Sequence, residues 1–225
     1  MEYPKINSLW KRHGWYLEEG KKYNPDYQAG RQSFIIGDYA QEEFGQIKKW
    51  NVQEKIDGTN IRVVMERSIS EVYVTFLGRT ANADIPDHLL EHLKMYFDDL
   101  SIRKMFLLMP SLDKIILFGE GYGPKIQKGG NYRDDVGFIL FDAWAGRWST
   151  REEVRDIAAL LKLPTPHDYG LMTEDEIVAL VKSKPQSPSA IRPMELEGVI
   201  CRSEPLMIAN KDQRPIMWKL KCKEF

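Results

Sequence analysis

Two runs of alternating apolar and polar residues lie close together in this chain, and they constrain its fold more than any other stretch. The first is IRVVMER (61–67) and the second is EVYVTFL (71–77), with only Ser-Ile-Ser between them. Such alternation buries one face of a strand, and so short a connection is typical of a β-hairpin. The sequence therefore predicts an antiparallel sheet that includes residues 61–77.

The remaining segments mix helical and extended patterns without repeating a strand–helix–strand unit. Residues 87–109 carry apolar side chains at helical spacing, with Leu89, Leu93, Tyr96, Phe97 and Leu100 on one stripe. Two more helices are predicted where Ser149 and Thr173 are each followed three residues later by glutamate, the form of a capping box. The runs KIILFG, VGFILFDAW, LEGVICRS, PLMIAN and PIMWKLKCK are strand-like. This order predicts an α+β fold with largely antiparallel sheets.

The length of the chain sets its domain organisation. A chain of 225 residues is long enough for one domain with a well-buried core. We expect residues 1–225 to form a single domain, with residues 1–50 packed on the core or extending it. The 32 basic and 33 acidic residues nearly cancel, so overall charge does not favour a large duplex-wrapping surface. A local basic groove remains compatible with this balance.

The lengths of the apolar runs and the number of cysteines indicate where in the cell the protein is located. No run approaches 18 consecutive apolar residues, and the first residues lack the apolar centre of a signal peptide. Cys201 and Cys222 do not form a disulfide framework, which is typical of a reducing environment. We therefore expect no membrane span and a cytoplasmic protein.

An aromatic and basic cluster lies near the N-terminus. It consists of Trp10, Lys11, Arg12, His13, Trp15 and Tyr16. Aromatic rings and cations together can stack on and follow a nucleic-acid strand. The alternative interpretation is that these residues only pack against the rest of the chain.

The last predicted strand carries several lysines. Because alternate residues of a strand share a face, Met217, Lys219, Lys221 and Lys223 are expected on one side. Trp218, Leu220 and Cys222 are then expected on the other. The lysine face is either a solvated surface or a binding site in which the first two lysines hold a polyanion such as a triphosphate.

The stretch EKIDGTN (54–60) places Lys55 between two carboxylates and ahead of a Gly-Thr-Asn turn. A lysine is a nucleophile only after it loses its proton, and nearby cations and desolvation favour that loss. Lys219, Lys221 and a bound metal ion are the candidate cations. Glu54 and Asp57 would oppose the loss if they faced Lys55, so we expect both to be engaged elsewhere.

Four later segments follow EKIDGTN in a fixed order: FGEGYGPKIQKGGNY (118–132), FILFDAW (138–144), LEGVI (196–200) and WKLKCK (218–223). Together the five segments resemble the covalent nucleotidyltransferase superfamily of ATP- and NAD-dependent polynucleotide ligases and mRNA capping guanylyltransferases. Asn60, GPKIQKGGNY and KLKCK are most similar to the RNA ligases of the phage RNA ligase 2 type. The resemblance covers about residues 50–223.

The resemblance implies an adenylyltransferase domain of mainly antiparallel sheets flanked by helices, with an ATP pocket between sheets. DNA ligases and capping enzymes carry a further OB domain, whereas here only Glu224 and Phe225 follow KLKCK, so we expect no OB domain. The chain is then either a compact single-domain ligase or the catalytic piece of a longer protein.

The resemblance also implies a three-step reaction. Lys55 attacks the α-phosphorus of ATP and forms lysyl-AMP, the AMP passes to a 5′-phosphate end, and a 3′-hydroxyl then displaces it. Lys219 and Lys221 are expected to neutralise phosphate charge, and Glu197 to bind Mg²⁺ or Mn²⁺ through carboxylate oxygen.

The same resemblance implies a set of nucleotide contacts. Glu120 is expected to accept hydrogen bonds from the ribose hydroxyls, and its neighbours Gly119 and Gly121 to let the backbone approach the nucleotide. Phe141 is expected to stack on adenine, with Phe138 as the fallback and Val199 or Ile200 on the other side. The remaining nucleotide-binding candidates are Glu54, Asp57, Asn60 and Arg79. Asp142 is either a structural acceptor or part of the site.

The predicted function is an ATP-dependent RNA ligase that joins 5′-phosphate and 3′-hydroxyl ends of RNA, with a nicked duplex as an alternative form of the substrate. We expect a monomer in the cytoplasm of a bacterial or phage-infected cell. The alternatives are a minimal ATP-dependent DNA nick ligase, a capping-type guanylyltransferase, and a non-catalytic nucleic-acid binder. The last is disfavoured because Lys55, Glu120, Glu197, Lys219 and Lys221 are all present.

Overall fold

A computed structural model describes residues 1–12, 16–18, 21–23, 34–80, 83–211 and 213–225. The chain divides into two compact units. The first unit contains Met1–Pro4, Ile56–Pro166 and Ser189–Met194. The second contains Lys5–Lys55, His167–Pro188 and Glu195–Phe225. Among the described residues, no helix combines the length and apolar character needed to cross a membrane.

The described elements are strands and short helices in mixed order. In chain order the strands are β1 (Asn7–Ser8), β2 (Trp10–Arg12), β3 (Tyr16–Glu18), β4 (Lys21–Tyr23), β5 (Phe34–Tyr39), β6 (Trp50–Glu54), β7 (Thr59–Arg67), β8 (Val72–Gly78), β9 (Lys114–Tyr122), β10 (Gly137–Trp144), β11 (Asp168–Met172), β12 (Gly198–Ser203), β13 (Ile208–Ala209), β14 (Arg214–Pro215) and β15 (Met217–Lys221). The α-helices are α1 (Asp87–Tyr96), α2 (Asp99–Leu108), α3 (Arg151–Leu161) and α4 (Glu174–Lys182). Short 3₁₀ helices lie at Glu42–Gln46, Gly129–Asn131 and Cys222–Glu224. The predicted α+β class is confirmed.

The first unit contains a four-stranded antiparallel sheet in the order β10-β9-β7-β8. The predicted hairpin is confirmed, because β7 pairs with β8 from Ile61 opposite Gly78 to Arg67 opposite Val72. Ile61, Val63 and Met65 are fully buried and pack in one cluster with residues of α1, α2 and α3. The alternation seen in the sequence thus defines the face of the sheet that is covered by helices.

The predicted helix over residues 87–109 is two helices. α1 ends at Tyr96, and the Asp98 side chain caps α2 by accepting a hydrogen bond from the Ser101 backbone N–H at 2.8 Å. Leu89, Leu93 and Phe97 are buried as predicted, whereas Leu100 is 74% exposed. The predicted apolar stripe does not extend to Leu100, because the break between α1 and α2 interrupts the helical repeat on which the prediction was based.

Both predicted capping boxes exist, but one lies a residue later than the prediction. Thr173 caps α4 with Glu176 as its reciprocal partner, as expected. At α3 the cap is Thr150 with Glu153, not Ser149 with Glu152. Adjacent Ser-Thr and Glu-Glu pairs satisfy the motif in two registers, so the sequence alone does not decide between them.

The second unit contains a five-stranded sheet in the order β1-β15-β12-β6-β11. β1 runs parallel to β15, and the other neighbours are antiparallel. One face of this sheet packs against Ile177 and Val181 of α4 in a single core cluster. The sheet residues in this cluster include Trp50, Val52, Val199, Cys201, Trp218 and Leu220. The buried side predicted for the last strand, Trp218, Leu220 and Cys222, is confirmed.

The lysine face of the last strand contains fewer residues than predicted. β15 ends at Lys221, and Cys222–Glu224 forms a 3₁₀ turn in which the Glu224 carboxylate accepts a hydrogen bond from the Lys221 backbone N–H at 2.9 Å. Lys223 lies in this turn and is exposed. The prediction that Lys223 continues the lysine face is therefore wrong.

Part of the N-terminal segment packs in the second unit. Leu9 and Phe44 are fully buried in its core, and Trp10 is 3% exposed there. Trp10 is thus a packing residue and does not offer a ring for stacking on a strand. His13 and Trp15 of the predicted aromatic and basic cluster lie outside the described residues, and of Arg12 and Tyr16 only the strand placement is described.

Candidate functional site

Three predicted site residues are in contact in the second unit, where two lysines share the carboxylate of a glutamate. Lys55 Nζ donates to Glu197 Oε2 at 2.6 Å, and Lys221 Nζ donates to Glu197 Oε1 at 2.7 Å. The side chains are 21% exposed for both lysines and 15% exposed for Glu197. The cluster therefore combines two ammonium groups and one carboxylate at a partly buried position that a ligand can still reach.

Neighbouring strands bring these residues together. The Lys55 backbone N–H, directly after β6, donates to Gly198 O at 2.9 Å. Gly198 is opposite Lys221 in the antiparallel pair of β12 and β15, and Glu197 directly precedes Gly198. The cluster is therefore built on sheet register, which holds side chains more rigidly than a loop does.

Gly198 is required by this arrangement. Its φ is +153°, and a Cβ at this position would lie 2.1 Å from Leu220 O and 2.7 Å from Lys221 Cα. Only glycine fits so close to the neighbouring strand. The Glu-Gly pair found in the sequence thus has a structural reason, because the glycine allows the glutamate beside it to approach Lys221.

Lys219 and Ile200 lie on one face of the same sheet. Ile200 is directly opposite Lys219 on β15 and Gln53 on β6, so the three share a face. Val199 is fully buried on the core face. Of the two residues predicted to close the adenine site, Ile200 is the one on the lysine face.

Glu54 lies on the core face and is 2% exposed. Its carboxylate accepts a short hydrogen bond from Ser187 Oγ. Burial, with the Glu54 charge as a smaller cause, raises the pKa of the nearby Tyr169 hydroxyl to about 12. Glu54 is therefore engaged away from Lys55, and Ser187 is a partner that no local motif in the sequence indicated.

In the first unit, Asn60 and Glu120 form a cross-strand pair. Asn60 on β7 is directly opposite Glu120 on β9, and Ile139 lies opposite Glu120 on β10. In the described part of the chain, the Asn60 side-chain oxygen is buried and has no hydrogen-bond partner. A polar atom of this kind is typical of a site that a ligand completes.

The glycine of the Lys-x-Asp-Gly motif packs directly against this pair. A Cβ on Gly58 would lie 2.4 Å from Gly121 O and 2.7 Å from Glu120 Cγ. Gly58 therefore lets the turn after Ile56 lie against Glu120. At Gly119 and Gly121 a Cβ would meet Phe138 and Leu89, which are buried in the core, so core packing also requires these glycines. Their approach to the nucleotide stays a prediction.

Phe141 belongs to an aromatic group on the sheet of the first unit. It follows a register shift in β10, and the Tyr3 ring meets it edge-on at 5.0 Å between centroids. Tyr3 also donates a hydrogen bond to the buried Asp142 at 3.1 Å, and the Ala143 backbone N–H donates to the other Asp142 oxygen at 3.0 Å. Asp142 is therefore a structural acceptor. No sequence pattern indicated Tyr3.

Phe138, the fallback for adenine stacking, is 3% exposed and packs in the helix-covered core. The remaining candidates lie at the ends of strands. Arg79 follows β8 directly and is exposed. The Asp57 backbone N–H donates to the Tyr132 hydroxyl at 3.3 Å. Phe138 is thus excluded as a stacking residue, while Arg79 is accessible to a ligand.

A metal ion has one evident ligand among the predicted residues. Within the described ranges, no three carboxylate, histidine or cysteine side chains are grouped so that they could hold a metal ion. Mg²⁺ usually keeps several waters and is bound through one or two carboxylates together with substrate phosphates. The Glu197 carboxylate fits that mode.

Comparisons with known proteins agree on a family. The model of the RNA ligase family matches residues 48–220. No curated protein sequence matches. Among solved structures, Naegleria gruberi RNA ligase with PPi aligns with a TM-score of 0.55 and 15% identity over 98% of this chain and 61% of that chain. A mutant of that enzyme with AMP and Mn gives a TM-score of 0.55 and 17% identity, over 80% of this chain and 51% of that chain. The chain spans only about half to two-thirds of the length of these proteins, and the similarity is one of fold.

Proposed function

Since the chain belongs to the RNA ligase family, we propose that it is an ATP-dependent RNA ligase that joins a 5′-phosphate end to a 3′-hydroxyl end. The observation that carries the proposal is the contact of Lys55 and Lys221 with one carboxylate, Glu197, on adjacent strands. We assign residues 1–225 to one adenylyltransferase domain, to whose second unit residues 1–50 contribute core residues.

In the first step the Lys55 amine forms a bond to the α-phosphorus of ATP and pyrophosphate leaves. The proton released from Lys55 must pass to another group before or during this attack. Lys221 and Lys219 lie two residues apart on β15 and supply two cations on one face of the strand. Fixed cations aimed at a phosphate stabilise the negative charge that grows on it and on the leaving group.

The contact of Lys55 with Glu197 must break before the amine attacks the nucleotide. Lys55 Nζ donates to Glu197 Oε2 at 2.6 Å, so the Lys55 nitrogen is directed at the carboxylate in the resting protein. A Mg²⁺ or Mn²⁺ ion bound by Glu197 would supply charge that competes for the carboxylate and polarises the nucleotide phosphates.

Within the first unit, we assign nucleotide recognition to Glu120, Asn60 and Phe141. Within the second unit, Ile200 is a candidate nucleotide contact because it lies on the lysine face of the sheet, whereas Glu54 is buried on the opposite face. Glu120 and Asn60 offer a carboxylate and an amide side by side, which suits ribose hydroxyls. Phe141 offers an aromatic ring for adenine. In support, solved structures of similar fold include RNA ligase with ATP and Mn and with AMP and Mn.

The substrate assignment follows from the family. RNA with a 5′-phosphate and a 3′-hydroxyl is the proposed substrate, including such ends at a nick. We further propose that the protein acts as a monomer in a bacterial or phage-infected cytoplasm. A reducing compartment is consistent with a chain that has only two cysteines, both buried.

The test is transfer of label to the protein. Radiolabelled ATP with Mg²⁺ or Mn²⁺ should label the wild type and should not label Lys55→Ala. Lys48→Ala is the matched control, because Lys48 is an exposed lysine outside the cluster. Label from GTP alone would contradict the proposal and favour capping chemistry. Joining of nicked DNA but not of RNA would identify a DNA ligase instead.

A further inference from the structure

A cavity of about 450 Å³ opens in the second unit beside β1 and β15. It is lined by Lys5, Ile6, Asn7, Ser8, Trp10, Lys11, Ala40 and Lys219. β1 pairs in parallel with β15, so that Ser8 is opposite Lys219. Lys5 and Lys11 lie three residues on either side of Ser8. The N-terminal segment therefore supplies most of the cavity wall, and β15 supplies the third lysine.

The cavity has a strong local charge. Three of its lining residues are lysines, and none of the lining residues that the structure describes is acidic. The whole chain has 32 basic and 33 acidic residues, so this concentration differs from the average surface. Lys5 is exposed, and the Lys11 side chain is 56% exposed. Their ammonium groups can therefore turn toward an anion that enters the cavity.

The neighbourhood of the cavity limits what the anion can be. Lys219 lies two residues before Lys221 on the same strand face, and Lys221 contacts Glu197 and thereby Lys55. Apolar side chains of Ile6 and Ala40 line the wall beside the lysines, whereas Trp10 is only 3% exposed. A wall that is part cationic and part apolar suits a nucleotide unit, with its sugar and base, better than bare pyrophosphate.

We propose that this cavity, which we call the N-terminal lysine pocket, binds a phosphate and the adjoining nucleotide of the RNA strand. The inference rests on the proposed ligase function for the identity of the ligand. Lys5 and Lys11 contact the phosphate backbone, and Lys219 connects the pocket to the nucleophile cluster. The pocket serves the steps that follow self-adenylylation, so Lys5 and Lys11 are not required for formation of lysyl-AMP.

Asp38 forms an ion pair with Lys11, one of the lysines of the pocket. Lys11 Nζ donates to Asp38 Oδ1 at 2.8 Å, and the two side chains are 56% and 46% exposed. An ion pair this exposed is weak, so a phosphate competes for Lys11 readily. Removal of the Asp38 charge should therefore strengthen RNA binding, a gain that damage to the fold would not produce.

The experiment measures binding of a 5′-phosphorylated single-stranded RNA to the full chain at several salt concentrations, alongside self-adenylylation with labelled ATP. Each phosphate contact in a single strand adds about 0.7 to the slope of log affinity against log salt. Lys5→Ala/Lys11→Ala should lower the slope by about 1.4. Between 50 and 200 mM salt the wild type should then lose about sevenfold more affinity than the double variant.

The controls separate this inference from the proposed function. Asp38→Asn should bind RNA more tightly than the wild type. Lys48→Ala changes an exposed lysine outside the pocket and should bind RNA with the affinity and salt slope of the wild type. Self-adenylylation should persist in Lys5→Ala/Lys11→Ala. An unchanged salt slope in the double variant would overturn the inference, and so would a loss of self-adenylylation equal to the loss of binding. Absence of label in the wild type would instead count against the proposed function, whatever the binding result.

Discussion

Replacing Lys221 with alanine tests the nucleophile cluster most directly. Lys221 and Lys55 share the two oxygens of Glu197, at 2.7 and 2.6 Å. Without Lys221, one cation near the attacked phosphate is lost. This loss opposes formation of lysyl-AMP, because it weakens charge stabilisation in the transition state.

The size of the effect follows from the charges. A cation on the order of 6 Å from the growing phosphate charge contributes about 0.7 kcal/mol in water and about 3 kcal/mol at an effective dielectric constant near 20. The side chains are 21% and 15% exposed, so a value between these limits applies. A loss of about 1–3 kcal/mol in the transition state predicts self-adenylylation roughly 5- to 150-fold slower.

Single-turnover labelling with saturating ATP at fixed pH measures this rate. Lys223→Ala is the matched control, because Lys223 is exposed and lies in the 3₁₀ turn just beyond β15. It should label at the wild-type rate. A wild-type rate for Lys221→Ala, or an equal loss in Lys223→Ala, would refute the reasoning.

Three further predictions concern packing and titration. Gly58→Ala should destabilise the fold by about 1–3 kcal/mol in denaturant unfolding and raise the ATP concentration for half-maximal labelling, because its Cβ would overlap Gly121 O at 2.4 Å and displace Glu120. Tyr3→Phe should cost about 1–2 kcal/mol in the same unfolding assay through loss of its hydrogen bond to Asp142, and a neutral result would show that this bond is unimportant. Burial raises the pKa of the Cys222 thiol to about 11. The unfolded thiol then ionises first, so stability should fall between about pH 9 and pH 11 by up to 2–3 kcal/mol, and Cys222→Ser should flatten this fall in pH-dependent unfolding.

The sequence predicted those features that local patterns determine. Strict alternation over residues 61–77 was sufficient for the hairpin, and Thr173 with Glu176 marked the start of α4. The order of five short segments placed Lys55, Glu197 and Lys221 in one list of site residues. Their actual contact could not be derived, because it depends on the register of β12 against β6 and β15.

The errors have local physical causes. A continuous helix over residues 87–109 fits the apolar spacing, but the Asp98 side chain caps a new helix instead. The lysine face stops at Lys221 because Glu224 accepts a hydrogen bond from its backbone and turns the chain. In each case a single side chain overrides a pattern that extends over many residues.

The register of Gly198 against Lys221 has a consequence for engineering. The strands β12 and β15 are consecutive partners in the sheet, and the excursion between Ser203 and Met217 joins them. The backbone pairing of β12 with β15, and not the length of the segment that joins them, places Glu197 beside the amines of Lys55 and Lys221. Peptides or reporter domains inserted within the excursion should thus leave the nucleophile's surroundings intact, whereas a one-residue insertion inside β12 would turn its side chains onto opposite faces and dismantle them.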